Sequence, residues 1–224
     1  MSDVTLSYQA LVSEDDIQRD AIKSLPISFD TYQSAIRQAI HDMGRVVENY
    51  LQRKLIVQKY TESVYYFHWR YDWGFNRTDT LLHDYPIVQI ISVTDIHNED
   101  ITDEYSIHPE TSKRETRIVG TDIKQVTVEY YAGYRRDDGE SLSDIQNYSD
   151  NHGDLDTLPP VLPSEIRSVT TELVLHRLTL ASNQQLGMGE RITGIGLSDI
   201  KAAPPDRHFI EERLAMLAEH RRIH

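Results

Sequence analysis

Residues 126–136 read VTVEYYAGYRR. Val126, Val128 and Tyr130 form one row and Thr127, Glu129 and Tyr131 the other, which is the two-residue period of a strand with one face on a core. The first row is expected to pack on helices. Gly133 closes the stretch between Ala132 and Tyr134, where a side chain would obstruct a sharp bend or a close neighbour. No catalytic motif stands out in it. Its chemistry is that of a strand end, so the function must come from the order of the elements around it.

Upstream, Phe29, Tyr32, Ile36, Ile40, Met43, Val47, Tyr50 and Leu51 recur at helical steps, so a long amphipathic helix is expected from Ser28 to about Lys54, with Ser28 or Asp30 as its cap. From Leu55 to His68 the period shifts toward two, with β-branched and aromatic residues, and reads as a strand or strand pair. The segments LLHDYPIVQIISVTDIH, EYSIH and IKQVTVEYYAG follow, parted by polar turn-like stretches such as NEDITD and PETSKRE. Together they suggest one small antiparallel sheet of about four strands.

Residues 135–158 carry seven acidic groups against two arginines and few large apolar side chains, which reads as a long mobile loop. Asp137, Asp138, Glu140 and Asp144 are its candidate channel or loop residues. A second helix is expected from Pro163–Ser164, with Ile166, Val169, Leu173, Val174 and Leu178 as its apolar face. A Gly-rich linker from Asn183 to about Asp199 and the Ala203-Pro204-Pro205 step lead to RHFIEERLAMLAEHRRIH. That last stretch reads as a short amphipathic helix. Phe209, Ile210, Leu214 and Leu217 form its stripe, and Arg221 and Arg222 sit near its negative end. A helix of this length needs a surface to cover, either its own core or a partner. The partner is favoured, with Phe209, Ile210, Arg213, Leu214, Leu217 and Arg221 as the contact residues.

The chain has 224 residues, 39% of them hydrophobic, which suits one core domain with extensions better than a two-domain enzyme. A formal charge of −13 opposes any tight grip on phosphates. With no cysteine there are neither disulfides nor thiolate metal sites. The N-terminal stretch MSDVTLSYQALVSEDD has no basic start and no apolar run, so export by a signal peptide is not expected, and no stretch approaches the length of a membrane span.

Enzyme readings find little support. His83-Asp84, His97 with Glu99 and Asp100, and His108 offer metal-ligand chemistry, but no HExxH spacing, and strand alternation parts His97 from Asp100. Asp150 to Asp156 has oxygen ligands at alternate positions, yet its glycine is misplaced and the twelfth position is Val161 where a bidentate Glu is required. Gly187, Gly189, Gly194 and Gly196 follow a helix and lack the Lys-Ser/Thr pair of a phosphate cradle. No cofactor is expected.

The order of motifs carries more. Tyr85, Pro86, Val88, Ile91, Ser92 and Val93 form one strand phrase, and Val126, Val128, Tyr130, Ala132, Gly133 and Tyr134 a second. Pro163, Ile166 and Val169 open the helix that follows. This succession, over residues 28–182, resembles the head-to-tail connector (adaptor) proteins of tailed bacteriophages, with Tyr85, Pro86, Tyr130, Gly133 and Tyr134 at the family's motif positions. The resemblance implies a non-enzymatic virion protein, a dodecameric ring that joins the portal to a neck stopper or tail-terminator protein and lines the DNA exit channel. It implies assembly in the host cytoplasm, a duplex that passes without tight binding, no membrane, and a C-terminal arm that reaches the portal. The alternatives are a metal-dependent hydrolase using the His83 to His108 region and a related tail-completion protein.

The expected fold is therefore α+β, with long amphipathic helices packed on a small antiparallel sheet. Residues 1–27 form an N-terminal extension and 28–182 the core domain, which includes the acidic loop at 135–158. Residues 183–224 form the linker and an extended arm.

Overall fold

A computed structural model describes residues 10–21, 29–65, 78–107, 116–120, 125–137, 139–147, 152–187 and 207–221. The fold is mixed α and β, and the chain divides into two compact units, Met1–Gln52 with Pro163–Arg221 and Arg53–Leu162 with Arg222–His224.

The first unit is helical. Its helices are α1 (Glu14–Ala21), α2 (Phe29–Leu51), α4 (Ser164–Gly187) and α5 (Arg207–Ala215). α2 packs against α4, with Ile36, Ile40, Met43, Val47 and Leu51 of the first and Ile166, Val169, Leu173, Val174 and Leu178 of the second buried. The helical period of the sequence thus places both stripes correctly. Helix α4 runs to Gly187, past the linker start expected at Asn183.

Within the stretch expected as an N-terminal extension, residues 10–21 supply core. Leu11, Val12 and Ile17 are buried, and Ser13 starts α1 with a reciprocal cap: its Oγ accepts from the Asp16 N–H at 3.1 Å while its own N–H donates to the Asp16 carboxylate at 3.0 Å. Glu14 then ties α1 to α2 by an ion pair to Arg37 at 2.6 Å. The cap pattern SEDD after an ALV triplet was the available signal.

Among the described residues the second unit holds six strands and a short α-helix. β1 (Gln58–Tyr65), β6 (Gln125–Ala132) and β3 (Ile87–Asp95) form one antiparallel sheet in the order β1-β6-β3. β2 (Thr78–Leu82), β5 (Thr116–Gly120) and β4 (Ser106–Ile107) form another in the order β2-β5-β4. The single sheet of about four strands is therefore corrected to two sheets of three. Strand β5, TRIVG, adjoins the stretch read as a polar turn; it is too short to declare itself without its partners.

The apolar row Val126, Val128, Tyr130 and Ala132 clusters with Leu82 of β2, Val93 of β3 and Tyr105 beside β4. It packs against residues of the second sheet and its loops, not against helices as expected. A strand's alternation says which side is buried and nothing about what covers it.

Candidate functional site

Four of the five motif residues, Tyr85, Pro86, Gly133 and Tyr134, meet at the end of β6. Arg53, 6% exposed, lies with its guanidinium 3.8 Å from the centre of the Tyr85 ring and 5.7 Å from that of Tyr134, and donates from Nη1 to the Tyr85 carbonyl at 2.8 Å. The Tyr85-Pro86 peptide is cis, and the Pro86 carbonyl accepts from the Gly133 N–H at 3.0 Å. Tyr134 N–H donates to Leu55 at 2.8 Å and Val57 N–H donates to Tyr134 at 2.9 Å. Gly133 has φ +120°, and a Cβ built there would stand 2.7 Å from the Val57 nitrogen, so only glycine fits between the two chains. The close neighbour expected of Gly133 is the backbone of Ile56 and Val57.

Tyr130, also of the motif, stacks on Tyr60 at 5.6 Å and donates its hydroxyl to Glu62, while that oxygen accepts from the Asp84 N–H at 3.3 Å. Burial first, and then the Glu62 carboxylate, push its ionisation far above the ordinary phenol range. Glu62 also pairs with His83 Nδ1 at 2.8 Å. Tyr130 therefore stays neutral and acts as a strut between β1 and the turn at 83–84. Arg53, the centre of this cluster, was missed from sequence because a lone Arg before a strand carries no pattern.

The acidic segment is anchored, which corrects the mobile loop over its described residues. α3 (Leu142–Asn147) buries Ile145, and Leu155 and His152 are buried beyond it. His152 stacks on Tyr131 at 6.1 Å, with its Nε2 2.9 Å from the Val57 carbonyl. Gln89 of β3 donates to the Asp154 carbonyl at 2.9 Å and accepts from Asp156 and Thr157 N–H at 2.6 and 3.3 Å. The carboxylates serve locally. Glu140, 9% exposed, pairs with Arg136 at 3.0 Å and accepts from the Asp137 N–H. Asp137 accepts from Gly139, and Asp144 caps α3 through Ser141, whose hydroxyl and N–H hold that carboxyl below its ordinary range. Asp138 lies outside the described residues. A few anchors suffice because the acids satisfy neighbouring donors instead of repelling one another.

The C-terminal stripe is covered within its own unit. Phe209 stacks on His176 of α4 at 4.1 Å, Arg213 pairs with Glu172 at 3.0 Å, and Arg221 lies 5.5 Å over the Tyr50 ring. Leu214 and Leu217 are buried and Ile210 half-buried, whereas Met216 is 59% exposed. A stripe expected to reach a partner thus has a nearer surface in α4, and a marginal helix takes the first apolar face within reach.

Of the imagined metal residues, His83 is held by Glu62, His97 stands exposed in a turn, and His108 lies outside the described residues. Among the described residues no group of three His, Cys, Asp or Glu converges on one point. No described helix is long and apolar enough to cross a membrane.

No protein-family model matches the chain, and no curated protein matches it. Among solved structures it is similar to a chain in the neck of an empty GTA particle computed with C6 symmetry. The TM-score is 0.52 at 12% identity, over 99% of this chain and 94% of that one. At that identity the likeness is one of fold.

Proposed function

We propose that this chain is a structural component of the neck of a phage-like virion. One observation carries it: the likeness to the neck chain of the GTA, or gene transfer agent, particle spans both chains almost end to end. The succession of connector-like motifs supports the same role, and so does their use, since Tyr85, Pro86, Tyr130, Gly133 and Tyr134 build architecture and expose no reactive group.

In this proposal the chain forms a dodecameric ring, a number that a six-fold axis accommodates, seated between the portal and a stopper or tail-terminator protein. The surface of a chain with charge −13 lets the duplex pass without phosphate contacts that would oppose ejection. The C-terminal helix approaches the portal with its outward residues, Met216 among them, while Leu214 and Leu217 hold it to its own unit.

Electron microscopy and mass measurement of the purified protein, alone and mixed with its portal, test this. Rings that bind portal, and no mobility shift of duplex DNA at physiological salt, are expected. A monomer that ignores portal, or tight salt-sensitive DNA binding, overturns it.

A further inference from the structure

We propose that the outer edge of β1 is a strand-docking site filled by residues 191–200 of a neighbouring copy. Which backbone groups of β1 face outward follows from hydrogen bonds on both sides of the central strand. Gly133 N–H bonds toward β3, at Pro86, and Tyr134 N–H bonds toward β1, at Leu55. Val93 of β3, opposite Val128, turns away from β6, because its N–H donates to the Thr102 hydroxyl and its carbonyl accepts from Ile101. Asp95, opposite Val126, does the same through its N–H to Glu99. Val126, Val128 and Tyr130 therefore bond to their β1 partners Val64, Glu62 and Tyr60. Lys59, Thr61 and Ser63 point their N–H and C=O groups out of the sheet.

All three residues are exposed, and among the described residues no hydrogen bond reaches those groups. The two edges of this sheet are treated differently. β3 has register shifts at Ile87/Gln89 and Ile90/Ser92, and its outer groups at Val93 and Asp95 are occupied by residues 99–102. β1 has neither bulge nor proline, and pairs with β6 in unbroken register over eight residues. Its one edge lysine, Lys59, is drawn across the face to Glu129 at 3.1 Å instead of guarding the edge. A long regular open edge is a template for another strand.

The occupant is argued from length and alternation. Residues 188–206, outside the described set, join the end of α4 at Gly187 to α5, whose Phe209 lies back beside His176. Nineteen residues reach about 60 Å when extended, whereas eleven residues of helix, from His176 to Gly187, measure about 16 Å. The connection has ample slack for an excursion to another subunit. Within it, RITGIGLSDI places Thr193, Ile195 and Leu197 in one row and Gly194, Gly196 and Ser198 in the other. The first row would continue the half-buried face of Tyr60 and Val64, and the small row the exposed face of Thr61 and Ser63. An edge on one copy and a segment on the next make a head-to-tail contact, the kind that closes rings.

The proposal rests on the neck reading only for its ring, and a cross-linking experiment separates the two. The chain has no cysteine, so full-length Ser63→Cys is mixed with Gly194→Cys, Gly196→Cys or Ser198→Cys, the row on the same face as Ser63, under mild oxidation. Directly opposed residues of adjacent strands lie within disulfide reach, so one of the three should give heterodimer about tenfold above an exposed Gln38→Cys control. Thr61→Pro should abolish it with melting unchanged, because the lost N–H bonds nothing in the sheet. Absence of heterodimer in all three mixtures overturns the proposal even if rings are seen on grids. So does a cross-link confined to single chains of the doubly substituted Ser63→Cys/Gly196→Cys protein, or one that survives Thr61→Pro. Cross-linked copies that never close into rings support the docking and overturn the ring.

Discussion

Replacing Gly133 by alanine should destabilise the sheet unit far more than a one-carbon change suggests. The added Cβ would lie 2.7 and 2.8 Å from Val57 N and Cα and 2.9 Å from Ile56 C, all backbone atoms that no rotamer change can move. The φ of +120° adds conformational strain of roughly 1–3 kcal/mol for any residue with a side chain. Relief requires β1 and β6 to separate, weakening the bonds Val57 N–H to Tyr134, Tyr134 N–H to Leu55 and Gly133 N–H to Pro86, each contributing about 1 kcal/mol. Alanine also narrows the unfolded ensemble, which offsets at most about 1 kcal/mol. The net expectation is a loss of roughly 3–5 kcal/mol, a large share of a typical domain's stability. Urea denaturation followed by tyrosine fluorescence measures it, with Gly139→Ala, where a Cβ meets nothing within 4 Å, as control. A loss at Gly133 under about 1 kcal/mol would refute the close-approach reasoning.

Leu217→Ala should cost about 2–4 kcal/mol in the helical unit, because this side chain is fully buried, while Met216→Ala stays within about 0.5 kcal/mol; equal midpoints in urea would deny that the C-terminal stripe is core. Gln89→Ala removes three hydrogen bonds to residues 154–157, and limited proteolysis there should speed up severalfold with little change in global melting. Acid stability should depend on Asp100 and Asp144, whose carboxyls are held below their ordinary range first by the hydroxyls of Thr102 and Ser141. A depressed carboxyl stabilises above its unfolded value of about 3.9, and that contribution disappears as pH falls through the lower folded value. Stability from these groups is thus level at neutral pH and drops below about pH 4. In a urea series against pH, Ser141→Ala with Thr102→Val should flatten that acid limb; an unchanged limb contradicts it.

The sequence by itself determined the elements whose period is long and one-sided. The stripes of α2 and α4, the strand 126–132 and the glycine at its end are where spacing places them, because burying one face of a helix or strand fixes the periodicity locally. Which surface covers each stripe was settled only by tertiary structure. The Val126 row met Leu82 and Tyr105 instead of helices, and β5 became a strand because β2 and β4 flank it. The acidic segment and the C-terminal helix show the same division. The first reads as poor in core and the second as a stripe for a partner, yet Leu155 and His152 anchor the first, and in the second Leu214 and Leu217 are buried and Phe209 stacks on His176 of α4. Arg53 makes the point most sharply: local sequence gives no sign that this cation belongs between Tyr85 and Tyr134, since its partners lie 32 and 81 residues further along the chain and meet it only when β1 pairs with β6.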